Sequence, residues 1–98
     1  MEFAIKIPEE LRRRYMERRA RDAEDLSLSL EAGQFDVLAR LGHQLKGNAA
    51  TYGYEQLADL GRKMEHAAKE QSLAEGKDCL FLLKAWLNER SSGVGEDG

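Results

Sequence analysis

The sequence has few residues that break or cross-link a chain. Its single proline is Pro8, so beyond that point no pyrrolidine ring interrupts a helix. Its single cysteine, Cys79, excludes an internal disulfide and a cysteine-rich metal site. Cys79 stands in an apolar stretch, Cys79-Leu80-Phe81-Leu82-Leu83, where core packing is its expected role. No apolar run approaches the roughly 20 residues that span a bilayer. Residues 1–8 hold no long apolar segment of the secretory kind. There is also no glycine-rich phosphate loop, no Walker motif and no helix-borne acidic set for magnesium, so autonomous phosphorylation from ATP is not expected. A reducing, cytoplasmic location and no membrane partner follow as expectations. Met1 and a loose C-terminus suit a free-standing chain.

The 98 residues are 42% hydrophobic and 34% charged, a balance that fits one soluble globular domain rather than a disordered segment. We place the domain at residues 1–90 and expect the polar, glycine-rich residues 91–98 to form a disordered tail. The net charge of −3 argues against nucleic acid as the main partner. One segment opposes that average: Arg12, Arg13, Arg14, Arg18, Arg19 and Arg21, offset by Glu9, Glu10 and Glu17. This pattern reads either as a solvated helix face laced with i, i+4 pairs or as a basic surface that attracts an acidic partner.

Strand-like alternation is nowhere sustained, and helical periodicity takes its place. Pro8 can open a helix whose first turn carries Glu9 and Glu10. Leu11, Tyr15, Arg19, Ala23, Leu26 and Leu30 then keep a three-to-four spacing up to Gly33, as one helix or as two with a bend. A second helix is predicted over 34–52, with Phe35, Leu38, Leu41, Leu45, Ala49 and Tyr52 on one face. A third carries Leu57, Leu60, Met64, Ala68 and Gln71. Ser72 and Glu75 form a capping box for a fourth, with Leu80, Leu83, Trp86 and Leu87 as its stripe despite Gly76. Short connections predict an all-α fold, an antiparallel up-down four-helix bundle with an N-terminal helical extension.

One residue of the second helix is on the wrong side of it. The apolar side chains fill a sector of roughly 120°, and His43 points about 150° from its middle, toward solvent. Ala39, Lys46, Gly47 and Ala50 share that side, and three of these four are very small. A glycine inside a helix costs about 1 kcal/mol relative to alanine. A helix that clears space beside an exposed imidazole at that cost is built for a large partner to reach it. Lys46, at i+3, can bring its ammonium above the ring, where it would stabilise a phosphoryl group on nitrogen. Near pH 7 much of an imidazole is neutral and nucleophilic. His66, the other histidine, projects from its own helix without a Lys-Gly neighbour and reads as solvated surface. Two histidines are too few for a zinc site, and no metal ligands are assigned.

The segment Leu41-Gly42-His43-Gln44-Leu45-Lys46-Gly47-Asn48-Ala49-Ala50-Thr51-Tyr52-Gly53-Tyr54 closely resembles the phosphorylation motif of histidine-containing phosphotransfer (HPt) domains. That motif reads His-x-x-Lys-Gly, then Ser, Ala or Asn, with a glycine further on. In weaker form the likeness extends over residues 8–89, including Leu57, Leu60, Met64 and Glu65. By this resemblance His43 is the phosphorylated residue, Lys46 its charge partner and Gly47 the clearance residue. Gln44 and Asn48 are supporting positions, the second where serine is frequent, and Ala39 and Ala50 line the docking face. The resemblance implies a phosphorelay carrier that takes a phosphoryl group from a receiver-domain aspartate and passes it to another receiver. It also implies a hybrid sensor histidine kinase upstream, no cofactor of its own, magnesium supplied by the receiver, and a monomeric chain. A receiver- or kinase-binding regulatory module of the same fold, without transfer, is the alternative. Finally, if the second and third helices form a hairpin at Gly53 and Tyr54, His43 lies eleven residues before Tyr54 and Glu65 eleven after it. Glu65 is then a candidate to hold one ring nitrogen and fix the tautomer.

Overall fold

The computed structural model describes residues 7–97, with side chains as far as Arg90. Four helices follow one another: α1 (Glu9–Glu31), α2 (Asp36–Asn48), α3 (Glu55–Glu70) and α4 (Leu73–Asp97), with a short 3-10 turn, Ala50–Tyr52, between α2 and α3. No strand occurs among the described residues. Instead of forming the separate tail expected at residues 91–98, the backbone continues α4 as far as Asp97; the side chains of 91–97 and all of residue 98 lie outside the described residues. No helix among the described residues is long and apolar enough to cross a membrane. The architecture is the expected all-α up-down bundle.

The open choice for the first unit resolves to one uninterrupted helix. Pro8 starts it, its carbonyl accepting from the N–H groups of Leu11 and Arg12 at 3.0 and 3.1 Å. Gly33 ends it at φ +72°, a left-handed conformation that glycine adopts without cost. The following N–H, of Gln34, then folds back to the Ser29 carbonyl at 2.9 Å. Tyr15 lies beside Asn48, the last residue of α2, so the turns of α1 before Tyr15 run past α2 and form the N-terminal extension.

Leu26, Leu38, Leu41, Leu45, Leu57, Met64 and Leu83 are the fully buried heart of the core. Cys79 is buried as well, and burial pushes its thiol up to about 11, so it packs in the protonated form at neutral pH. The closest helix pair is α2 against α3. A Cβ on Gly42 would meet the Glu65 nitrogen and Gly61 oxygen at 2.8 Å, and one on Gly61 would meet the Lys46 nitrogen at 2.6 Å. The two glycines let one backbone lie against the other, which fixes what α3 presents to α2.

Helix α4 begins where the capping box places it, with the Ser72 hydroxyl accepting from the Glu75 N–H at 3.2 Å. Only half the box forms, because the Glu75 carboxylate turns to His66 Nδ1 at 3.2 Å. Gly76 is buried, with Leu30 and Leu38 methyl carbons 3.1 and 3.3 Å from where a Cβ would sit. Helix α3 stops one residue before the end of its predicted stripe. Gln71 caps it at φ 50°, and the Ser72 N–H returns to the Ala67 carbonyl at 3.0 Å. A left-handed non-glycine residue costs about 1 kcal/mol. Gln71→Gly is therefore expected to raise the Tm by roughly 4–8 °C, the response of a domain of this size to about 1 kcal/mol, as read by thermal denaturation.

Candidate functional site

Helix α2 ends four residues earlier than its apolar pattern predicts. It stops at Asn48, and the chain tightens into the 3-10 turn before Gly53 reverses it at φ +82°. Gly47 and Asn48 are both weak helix formers, and Asn side chains compete with the helical backbone, which accounts for the early end. This corrects two expectations. Gly47 sits in the last turn of α2, where glycine costs less than in an interior, and Ala50 lies on the 3-10 turn rather than on α2.

The exposure of His43 is as the helical phase requires, with 78% of its side-chain surface open to solvent. Its Nδ1 lies 3.3 Å from Oε2 of Glu65, across the α2–α3 contact. Lys46 is placed differently from the sequence expectation. Its ammonium bonds Oε1 of the same Glu65 at 2.9 Å instead of resting over the ring. One carboxylate from α3 thus holds the imidazole with one oxygen and the cation with the other. The Lys46 ammonium first, and the His43 ring after it, hold the Glu65 carboxyl below the usual carboxylate range, so it is ionised at neutral pH. The stabilisation this gives is present above the ordinary carboxylate range and fades as the pH falls through the lowered value. It is small, because solvent screens the pair.

A carboxylate only accepts hydrogen bonds. The tautomer with its proton on Nδ1 is therefore favoured, and Nε2 keeps its lone pair on the open side of the ring. The surface around it is low. Ala39, Gly47 and Ala50 are exposed, and a Cβ on Gly47 would meet nothing within 4 Å. Packing inside the chain therefore does not account for Gly47. Gln44 is half-buried on the α1 side and makes no side-chain hydrogen bond among the described residues. His66, though 64% exposed, is not simply solvated, because Glu75 partners it. The described residues include no group of three or more His, Cys, Asp or Glu able to hold a metal ion.

Asn48 has a role that the spacing alone does not reveal. Its Oδ1 accepts from the Tyr15 hydroxyl at 2.8 Å, which ties the end of α2 to α1. The Tyr15 ring stacks on Tyr52 with centroids 4.3 Å apart, and the Arg19 guanidinium covers it at 4.6 Å. Arg19 is itself held by buried Asp22 at 2.8 Å. Burial raises the Tyr15 pKa, so the hydroxyl stays a donor. The apolar pattern likewise gives Gly42 and Gly61 no role. Their available signal was position, since each lies on the flank of its helix's apolar stripe where a large side chain would be expected.

A helical bundle that holds out an exposed imidazole oriented by a carboxylate, with a lysine and a cleared approach beside it, has the design of a phosphoryl-group carrier. Comparison with known families places it more closely: residues 10–93 match the Hpt domain. The chain belongs to the Hpt domain family and so to phosphorelay phosphotransfer. No curated protein and no solved structure matched it.

Gly47→Arg tests the cleared face directly. The space outside Gly47 admits a side chain, and arginine is the better helix former, so stability should hold or rise by up to about 1 kcal/mol. Association with a receiver domain should nevertheless weaken by at least tenfold, as measured by titration calorimetry. Unaltered binding would remove the clearance role.

Proposed function

We propose that this chain is a phosphorelay carrier, accepting a phosphoryl group on Nε2 of His43 from a receiver-domain aspartyl phosphate and passing it to a second receiver. The carrying observation is the exposed imidazole whose Nδ1 faces Glu65, leaving Nε2 open above a surface stripped of large side chains. In the forward step the Nε2 lone pair attacks phosphorus, the P–O bond to aspartate breaks, and aspartate leaves as a carboxylate. The ring retains its Nδ1 proton, and Glu65 offsets the positive charge the ring acquires. Lys46, already held beside the site by Glu65, supplies a cation to the transferring oxygens. The receiver contributes the magnesium and the acyl phosphate. Both are outside this chain, whose part is a positioned nucleophile and a docking face. The return step reverses the same bonds, since both phosphorylated forms are energy-rich.

A hybrid sensor kinase as the source of the phosphoryl group, a cytoplasmic location and a monomeric chain belong to the same proposal. The test is incubation with a phosphorylated receiver and magnesium, followed by intact-mass analysis. One added phosphoryl group, lost in acid and stable in base, is the expected result. No transfer from a panel of receivers that bind the folded chain would leave a non-transferring regulatory module instead.

A further inference from the structure

Between Glu9 and Arg21, helix α1 carries six arginines against three glutamates, and the surplus lies along one edge. Arg13 points outward and is satisfied by Glu10 and Glu17 at 2.7 and 3.0 Å. Arg14 reaches the same Glu10 only at 3.4 Å, so two guanidiniums share that carboxylate. Arg18 likewise reaches Asp22 at 3.7 Å, but that carboxylate is already taken by Arg19 at 2.8 Å. Arg21 is exposed and has no ion-pair partner among the described residues. Arg14, Arg18 and Arg21 follow an i, i+4, i+7 spacing, so they form one stripe.

Two anchors fix where that stripe faces. Arg12, on the other flank of α1, bonds the Tyr54 hydroxyl at 3.0 Å, beside the Arg90 guanidinium of α4, which marks the α4 side. Tyr15 meets Asn48 of α2. The Arg14 stripe therefore borders α2. With the helices antiparallel and rising about 1.5 Å per residue, Arg18 and Arg21 lie about 4.5 and 9 Å along α1 from Tyr15, which brackets the level of His43. Arg40 of α2 is exposed, shares the Gly47 flank at i+7, and has no ion-pair partner among the described residues. Beyond Arg21 the stripe turns acidic at Asp25. The positive stretch is thus confined to the length of α2 that bears His43 and Gly47.

We propose that Arg14, Arg18, Arg21 and Arg40 form a basic ledge that receives an acidic surface of the receiver domain, beside the aspartate that exchanges the phosphoryl group. This rests on the carrier reading and adds the recognition chemistry. Charges at the rim of an interface act chiefly on the association rate and its salt dependence. The ledge steers the partner so that its aspartate arrives at His43.

The test is stopped-flow association of receiver domains with the full chain, carried in a His43→Gln background so that binding is read without transfer. The Arg14→Glu/Arg18→Glu/Arg21→Glu variant is compared with Lys63→Glu/Lys77→Glu/Lys84→Glu, which makes the same net-charge change on exposed lysines of α3 and α4. Circular dichroism checks both folds, and the three glutamine replacements at the ledge serve if reversal perturbs α1. The expected result is a fall of at least tenfold in association rate for the ledge variant alone. The difference should vanish near 1 M salt, where the Debye length is about 3 Å. Equal effects in both variants, no effect at the ledge, or ledge-dependent binding of duplex DNA in place of receivers would overturn the proposal. Transfer to His43 is assayed separately. Transfer without a ledge effect sinks the ledge and leaves the carrier, ledge-dependent binding without transfer does the reverse, and no association sinks both.

Discussion

A His43→Gln chain is expected to take up no acid-labile phosphoryl group from a phosphorylated receiver, while unfolding within about 0.5 kcal/mol of the parent. The stability half follows from exposure. Most of the His43 side chain faces solvent, and among the described residues its one hydrogen bond is an exposed contact with Glu65, which a glutamine amide N–H can also donate. The chemical half follows from the nucleophile, since an amide nitrogen has no available lone pair. His66 provides the internal control. It too is exposed with its Nδ1 on a carboxylate, Glu75 at 3.2 Å. An oriented imidazole is therefore not unique to His43. What His66 lacks is the cleared approach and the lysine shared through one carboxylate. His66→Gln should keep full transfer. Phosphoryl uptake that survives in His43→Gln and disappears in His66→Gln would move the site to α3.

The second large effect is on folding. Gly61→Ala is expected to cost about 2–3 kcal/mol, the upper part of the usual range of about 1–3 kcal/mol for forcing an extra carbon into a packed interior. The added carbon would stand 2.6 Å from the Lys46 backbone nitrogen and 2.8 Å from the Gly42 oxygen. Neither belongs to a flexible side chain, so the helices must part. Parting them also carries Glu65 away from His43 and Lys46, and transfer should slow even in the molecules that stay folded. The same substitution at Gly47 should act with the opposite sign on stability, because alanine favours the helix and meets open space. Urea denaturation of the two single variants checks both. A Gly61→Ala chain as stable as the parent would contradict the close α2–α3 approach.

These two sites differ in what made them visible. His43 is legible from one helix alone, because the phase of an imidazole against its neighbours' apolar stripe is a local property. Gly47 is legible for the same reason, although its helix ends sooner than the apolar pattern suggests. The stripe through Ala49 and Tyr52 persists past Asn48, since Ala49 is buried and Tyr52 of the 3-10 turn packs half-buried against the core, and periodicity cannot separate turn from helix. Lys46 was placed near His43 by spacing, but its actual partner is a carboxylate from another helix. Tyr15 reads in the sequence as one more apolar position of α1, whereas in the fold it is a hydrogen-bond donor to the end of α2.

The sequence by itself determined the class of fold, the helical segments except for the ends of α2 and α4, the capping of α4 by Ser72, and the exposure of His43. Each depends on neighbours within a turn or two, where helical geometry links position to direction. Only the tertiary structure decided that Glu65 holds both His43 and Lys46, that Gly42 and Gly61 admit each other's backbone, and that the arginines of α1 border the His43 face. Those outcomes depend on the distance and register between helices, which are set by contacts far apart in the chain. At the α2–α3 crossing, Gly42 and Gly61 set how closely the two backbones approach.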